Sequence, residues 1–436
     1  MFVVDPAMLD HAGPPRVTFM LACLSSLRER YRDLGSDLEI GVGDPANVLP
    51  AVADRYGATE VGWNADHSGV SRERDAAVRS SLRADGLAVT TSEDLYLHPP
   101  GSITTNAGDP YQVFSYFWDK WTAREPDSPH PSPSPTDLHP VSGAELPTRR
   151  ELDCPPPEAD VPPGGIEAGT ERLARFCAEA IYAYEADRDR PAANATSRLS
   201  PHLKWGTLGI RTVRETVDRA RAEAPDQPAA DSCAAFARQL AWRDFYGHVL
   251  AEWPDIVSTD YRSYERPIQW RSDPDGVRAW KDGMTGFPIV DAGMRQLRRE
   301  AFMHNRVRMI VASFLTKDLL VDWRTGYAWF RERLVDHDTA NDVGGWQWAA
   351  GTGTDAQPYF RIFNPTIQGE RYDPDADYIR TYVPELEDVP TDVIHGWNDL
   401  DAADRADATP DYPAPILDHA SRREEAIELF EAARGD

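Results

Sequence analysis

The sequence predicts a parallel α/β layer over residues 1–124 joined to a large all-helical part from about residue 169, on three observations. Short β-like runs alternate with helical stretches at the start, a segment dense in proline, serine and acid follows, and beyond it apolar residues recur at helical spacing. A chain of 436 residues suits two or three domains, because single cores stop growing beyond roughly 250–300 residues.

The β-like runs at 2–4, 38–42, 60–63 and 87–90 are separated by helical stretches near 15–34, 45–56 and 71–84. Strands spaced by helices pair in parallel, since a parallel connection needs a crossover. Over 125–168, SPHPSPSPTDLHP and PPPEADVPPGG predict an extended linker, because repeated proline removes backbone donors and breaks helices. In 233–250 (CAAFARQLAWRDFYGHVL) and 301–322 (AFMHNRVRMIVASFLTKDLLVD), apolar residues fall at i, i+3, i+4 and i+7, predicting helices. The sequence ends in SRREEAIELFEAARGD, an amphipathic helix, and no internal repeat is present.

Apolar residues make up 41%, and no apolar run approaches the ~20 residues of a membrane span. Met1, Phe2, Val3, Val4 and Asp5 include no basic segment ahead of an apolar stretch, which predicts a cytoplasmic protein. Cys23, Cys154, Cys177 and Cys233 lie too far apart for a zinc site or a disulfide framework and are expected as reduced thiols. The charge is strongly acidic: 72 Asp and Glu against 46 Lys and Arg give −26, with Lys120, Lys204, Lys281 and Lys317 the only lysines. Such a surface suits concentrated salt, where the Debye length shrinks to about 3 Å and self-repulsion is screened. On charge alone nucleic acid is disfavoured, because its binding rests on basic patches.

Thr196, Ser197, Arg198, Leu199 and Ser200, followed by Pro201, have the pattern of a helix N-terminus with hydroxyl caps. Such a terminus is either simply capped or an anion site, its free N–H groups meeting a phosphate. In 301–310, His304, Asn305, Arg308 and Met309 fall on neighbouring helix faces and point either into one cavity or to solvent. Asp336, His337 and Asp338 are metal-ligand types, but no further well-spaced ligand group accompanies them, and no metal is predicted. The stretch GGWQWAAGTGTDAQPYFRIFNP (344–365) sets paired tryptophans among glycines. It reads either as an aromatic core layer or as a pocket where planar groups stack.

Taken together, TSRLSPHLKWG (196–206), QLAWRDFY (239–246), GFPIVDAGMRQL (286–297), MHNRVRMI (303–310) and GGWQWAAGTGTDAQPYFRIFNPTIQGERYDPDADYIR (344–380) resemble, in order, the blocks of the photolyase and cryptochrome family. The likeness is nearest to haloarchaeal-type cyclobutane-dimer photolyases. It implies a Rossmann-like parallel-sheet domain that houses an antenna pigment, deazaflavin or folate, followed by an all-α domain that binds FAD and a DNA lesion. It implies UV-damaged DNA as partner and a monomeric state. Tyr184 and Thr196, Ser197, Arg198, Leu199 and Ser200 match the segment around the cofactor phosphates, while Phe236, Gln239, Arg243 and Asn305 match other positions beside the cofactor. Arg308 and Asp336 match an ion pair next to the flavin ring, and Asp338 the acceptor of its N3–H. Gln239, Trp242, Arg243, Asn305, Met309 and Trp348 match the lesion cavity, and Trp346, Trp323 and Trp270 an electron-hopping chain from flavin to surface. Arg198, Arg243, Arg306, Arg361 and Arg371 lie in these blocks and are expected to gather on one face, answering the acidic charge.

Three features depart from the family pattern. The family's opening strand and arginine-rich loop, of the form WFRRDLR, is absent ahead of FVVDPAMLDHAGPPR, which predicts a sheet lacking a central strand. Gln239 stands where a glutamate contacts the dimer in many relatives, and an amide cannot give up a proton to a radical anion. Asp342 stands where many photolyases place an asparagine facing flavin N5, and an acid there resembles plant cryptochromes. The resemblance therefore implies light-driven repair of cyclobutane pyrimidine dimers, with a cryptochrome-type photoreceptor without repair as the alternative. A photolyase for the 6–4 lesion would want a pair of histidines over the lesion, and the matched helix offers only His304.

Overall fold

The computed structural model describes residues 1–435. Strand β1 (Phe2–Val4) pairs in parallel with β2 (Ile40–Val42), Phe2 opposite Ile40, and β3 (Glu60–Asn64) pairs in parallel with β4 (Ala88–Ser92), Glu60 opposite Ala88. Helices Pro14–Asp33 and Gly69–Ala84 make the two crossovers, and Pro45–Tyr56 links the pairs. Their ends follow local chemistry. Pro14 and Pro45 open their helices, Asp44 and Ser68 accept from backbone N–H groups of the first turns, and Gly57 closes Pro45–Tyr56 in a left-handed conformation. Among the described residues no ladder joins the two pairs, so the expected layer is two two-stranded sheets rather than one. Each of the four strands keeps one unpaired edge.

The helical part holds the larger core. The Phe114–Ala123 helix sends Phe114, Phe117 and Trp121 into that core, against Gln227–Glu252. Asp244, fully buried on the latter helix, accepts from Trp121 Nε1 at 2.9 Å, His98 N at 3.0 Å and Leu97 N at 3.2 Å. It fastens the segment after β4 to the helical core. Residues 125–165 contain only a 3-10 turn at Pro135–Asp137, yet the segment is anchored: Leu146, Leu152 and Cys154 pack on the small α/β core, and Asp160 N donates to Arg299 O at 2.7 Å. All four cysteines are free thiols, and no helix among the described residues is long and apolar enough to cross a membrane.

The continuous helix expected over 301–322 is broken. Ala301, at φ 51°, ends Pro288–Glu300, His304 caps Asn305–Ser313, and Phe314–Asp318 forms a π-helical turn. Residues 310–321 are buried on every side, so their apolar pattern carries no face and hides the breaks.

Candidate functional site

Four helices, Gln227–Glu252, Asn305–Ser313, Trp323–Arg333 and Thr339–Ala350, pack together around the candidate residues. Arg308, one turn into its helix, donates from Nη2 to both carboxylate oxygens of Asp336 at 3.0 and 2.8 Å, and from Nε to Met303 O at 2.8 Å. Asp336 also accepts from Ser200 Oγ at 2.5 Å. Asp342, in the first turn of Thr339–Ala350, lies 3.8 Å from Arg308 Nη1 and 2.6 Å from His337 Nδ1. One guanidinium thus bridges two buried carboxylates, and Ser200 from the 196–200 segment joins them. Burial pushes the His337 imidazolium below its ordinary range, against the attraction of Asp342.

Asp338 caps the same helix, accepting from Asn341 N at 3.0 Å and Asn341 Nδ2 at 2.8 Å. Burial opposes its ionisation, yet Lys204, Arg243 and the Asn341 donors hold its carboxyl well below the usual carboxylate range. Arg243 sits over Tyr96 at 5.1 Å and donates from Nη1 to Leu95 O, while its Nη2 is buried without a protein partner.

Segment 196–200 corrects the capping expectation. The Ser200–Trp205 helix begins at its end, and the N-cap Leu199 makes no side-chain bond. Ser197 Oγ instead accepts from Leu199 N at 3.3 Å, and Arg198, at φ 49°, turns to Glu300 at 2.9 Å and over the Phe302 ring at 4.9 Å. Tyr184 is buried edge-on to Phe236 at 5.3 Å.

The residues matched to the lesion cavity are less uniform. Gln239 Nε2 donates to Ala235 O of its own helix at 3.2 Å. Asn305 is exposed, its Nδ2 3.9 Å from the half-buried Met309 sulfur, and Trp348 is half-buried against Phe363 at 6.4 Å. Trp242 stacks on Phe114 at 3.7 Å and 6°, so one of its ring faces is already taken. Of the tryptophans matched to electron transfer, Trp346 is buried edge-on to Phe330 at 5.0 Å, with its Nε1 unpartnered. Trp323 is fully buried, its Nε1 donating to Asp260 at 2.8 Å, and Trp270 is half-buried, edge-on to Phe430 at 5.8 Å.

The structure therefore brings Ser200, Arg308, Asp336 and Asp342 into one network, sets Asp338 near Arg243, and pairs Asn305 with Met309; no contact described above draws in Thr196. The five arginines expected on one basic face are not equivalent. Arg198 is paired with Glu300, Arg306 with Asp189 at 2.8 Å, and Arg243 is turned to a backbone carbonyl. Among the described residues only Arg361 and Arg371 of the five are exposed without an ion pair: carboxylates neutralise Arg198 and Arg306, and Arg243 is half-buried. His337 and Lys204 escaped sequence reasoning as site residues. His337 is visible only as a third metal-ligand type, and Lys204 carries no local signal.

A buried guanidinium–carboxylate network beside an indole-rich helix suits a polar, planar group, and the buried, unpartnered Nη2 of Arg243 offers one a donor. Residues 236–432 match the family model for the FAD binding domain of DNA photolyase, and residues 1–136 that for DNA photolyase. The chain belongs to the DNA photolyase family. It is 58% identical to the deoxyribodipyrimidine photo-lyase of Halobacterium salinarum, over 100% of this chain and 92% of that protein. The corresponding Synechococcus protein is 38% identical over 99% of this chain and 90% of its own. Among solved structures, a class III photolyase from Agrobacterium tumefaciens superposes with TM-score 0.89 at 34% identity, covering 100% of this chain and 91% of that one. A Synechocystis cryptochrome superposes with TM-score 0.89 at 27% identity, covering 98% and 92%.

Proposed function

We propose that this chain repairs cyclobutane pyrimidine dimers in DNA, driven by light. The observation that carries this is the 58% identity, over the whole chain, with a deoxyribodipyrimidine photo-lyase. FAD, when bound, supplies the electron that opens the dimer and takes it back. Within this chain, Arg308, Asp336 and Ser200 form the polar wall beside it, and Asp338, held ionised, is suited to accept an N–H. Tyr184 and Arg198, with Thr196, Ser197 and Leu199 in the turn, would hold its phosphates, and Phe236 would pack beside it. Gln239, Trp242, Arg243, Asn305, Met309 and Trp348 receive the flipped-out dimer, and flipping is cheap for a lesion that pairs poorly. Gln239 orients the lesion by hydrogen bonds but delivers no proton. Trp346, Trp323 and Trp270 carry electrons from the surface inward.

The test is illumination of the reduced, FAD-loaded protein with dimer-containing oligonucleotide under blue or near-UV light. Intact thymines are the expected product. Bound FAD without repair would overturn this reading in favour of a photoreceptor, for which Asp342 beside His337 is the specific observation. A second, light-harvesting chromophore is tested by the absorbance of the purified protein, where a deazaflavin or folate band would add to that of FAD.

A further inference from the structure

We infer that Asp260 directs the electron hole from Trp346 to Trp323 and away from Trp280. This rests on the reading of Trp346, Trp323 and Trp270 as an electron-transfer chain, and deepens it by assigning a residue that sets its direction.

Two indoles are candidates to receive the hole from Trp346. Trp280 lies edge-on with ring centroids 6.1 Å apart. Trp323 stands one helical turn before Gly326, whose backbone the Trp346 ring touches. Both are fully buried, so desolvation penalises a positive charge on either. They differ in what accepts the indole N–H. Trp280 Nε1 donates to a neutral backbone carbonyl, Val311 O, at 3.0 Å. Trp323 Nε1 donates to the carboxylate of Asp260 at 2.8 Å.

Loss of one electron leaves the indole with a positive charge and a more acidic N–H. A hydrogen bond to an anion stabilises that state far more than one to a carbonyl, and more so inside a protein than in water. The surrounding charges keep this sign. The Arg324 guanidinium, 4.7 Å from the Trp323 ring centroid, opposes a cation there. It is itself bound to Asp322 at 3.0 and 2.9 Å and to Asp260 at 3.1 Å. Two carboxylates and one guanidinium leave a net charge of −1 beside Trp323. Among the described residues no carboxylate meets the indole N–H of Trp280.

The step balances as a single electron moving from Trp323 to oxidised Trp346. Trp346 returns to its neutral form, Trp323 becomes the radical cation, no bond breaks, and the indole proton stays in the N–H···O bond. A soluble thiol returns the electron through Trp270. Asp260 touches neither cofactor nor substrate and is a positioning residue whose charge biases the route.

The experiment compares Trp323→Phe, Asp260→Asn, Asp260→Glu and Trp280→Phe in the FAD-loaded protein, following tryptophan radical absorption after a laser flash and the rate of photoreduction with thiol. Trp323→Phe tests the underlying chain, and an unchanged rate there would overturn that reading itself. Given a slow Trp323→Phe, Asp260→Asn is expected to shorten the long-lived tryptophan radical and slow photoreduction about 10-fold, because it keeps an acceptor but removes the charge. Asp260→Glu restores the charge and should stay within about threefold of the parent, as should Trp280→Phe. Parent-like Asp260→Asn, a Glu variant no better than Asn, or a Trp280→Phe defect equal to that of Trp323→Phe each overturns the inference. In the cofactor-free protein, the indole N–H resonance missing from Trp323→Phe should move upfield in Asp260→Asn. An unmoved resonance would mean that the hydrogen bond is not made.

Discussion

The indole of Trp346 lies directly on the backbone of Gly326, where an added Cβ would come 2.0 Å from Cη2 and 2.4 Å from Cζ3. Only a glycine lets the Trp323–Arg333 helix approach so closely. Gly326→Ala must push the ring or the helix aside, and overpacking of this kind costs about 1–3 kcal/mol. The variant should unfold at lower denaturant and reduce its flavin more slowly, since the displaced ring is the proposed first member of the hopping chain. Parent-like stability and photoreduction together would show that the contact is not made in solution.

The helices of the N-terminal part were legible because each is flanked by its own punctuation: Pro14, Asp44 with Pro45, Ser68, and Gly57. The break at Ala301 was not, since a left-handed alanine leaves no mark in the sequence. In the site, Arg308 and Asp336 are matched residues that the structure joins at 2.8 Å. Asp260 was invisible, because it lies 63 positions from Trp323 and only the tertiary fold brings an isolated acid to an indole N–H. Arg198 and Arg306 misled for the related reason that a sequence shows a charge but not the carboxylate that neutralises it.

Asp244 fixes three buried donors at once. Asp244→Ala strands Leu97 N, His98 N and Trp121 Nε1 and should cost on the order of 3 kcal/mol or more, read as a lowered denaturation midpoint. Burial lifts its carboxyl from the ordinary 3.8 to about 6. The native state therefore holds a proton that the unfolded chain releases. This contribution is full below the ordinary value and is lost as pH rises through about 6. Asp244→Asn should shrink the fall in stability over that window, leaving the parts due to Asp318, which burial also raises to about 6, and to Asp291 and Asp373, which burial raises as well. An unchanged pH profile would refute the assignment.

Trp348 is half-buried, touching Phe363 at one edge, which leaves ring surface for a base. Base stacking on an aromatic ring contributes about 1–3 kcal/mol. Trp348→Ala should therefore weaken binding of dimer-containing DNA roughly 10-fold or more while FAD content stays at the parent level. Equal affinity in a filter or fluorescence titration would place the lesion elsewhere.

Salt should move stability and DNA binding in opposite directions. A net charge of −26 repels itself within the folded chain, and raising salt from about 0.1 to 1 M cuts the Debye length from about 10 to 3 Å. Thermal unfolding should shift upward over that range, and a flat or falling midpoint would show that the acidic surface is not under repulsive load. Affinity for DNA should fall instead, because each phosphate neutralised by arginine releases counterions. Of the five arginines expected to form a basic face, only Arg361 and Arg371 are both exposed and free of ion pairs among the described residues. Two such contacts give a slope of log affinity against log salt near −2, at about −0.9 per phosphate. A slope near −4 would mean that Arg198 and Arg306 leave Glu300 and Asp189 to meet the phosphates, and that the DNA-bound protein rearranges its ion pairs.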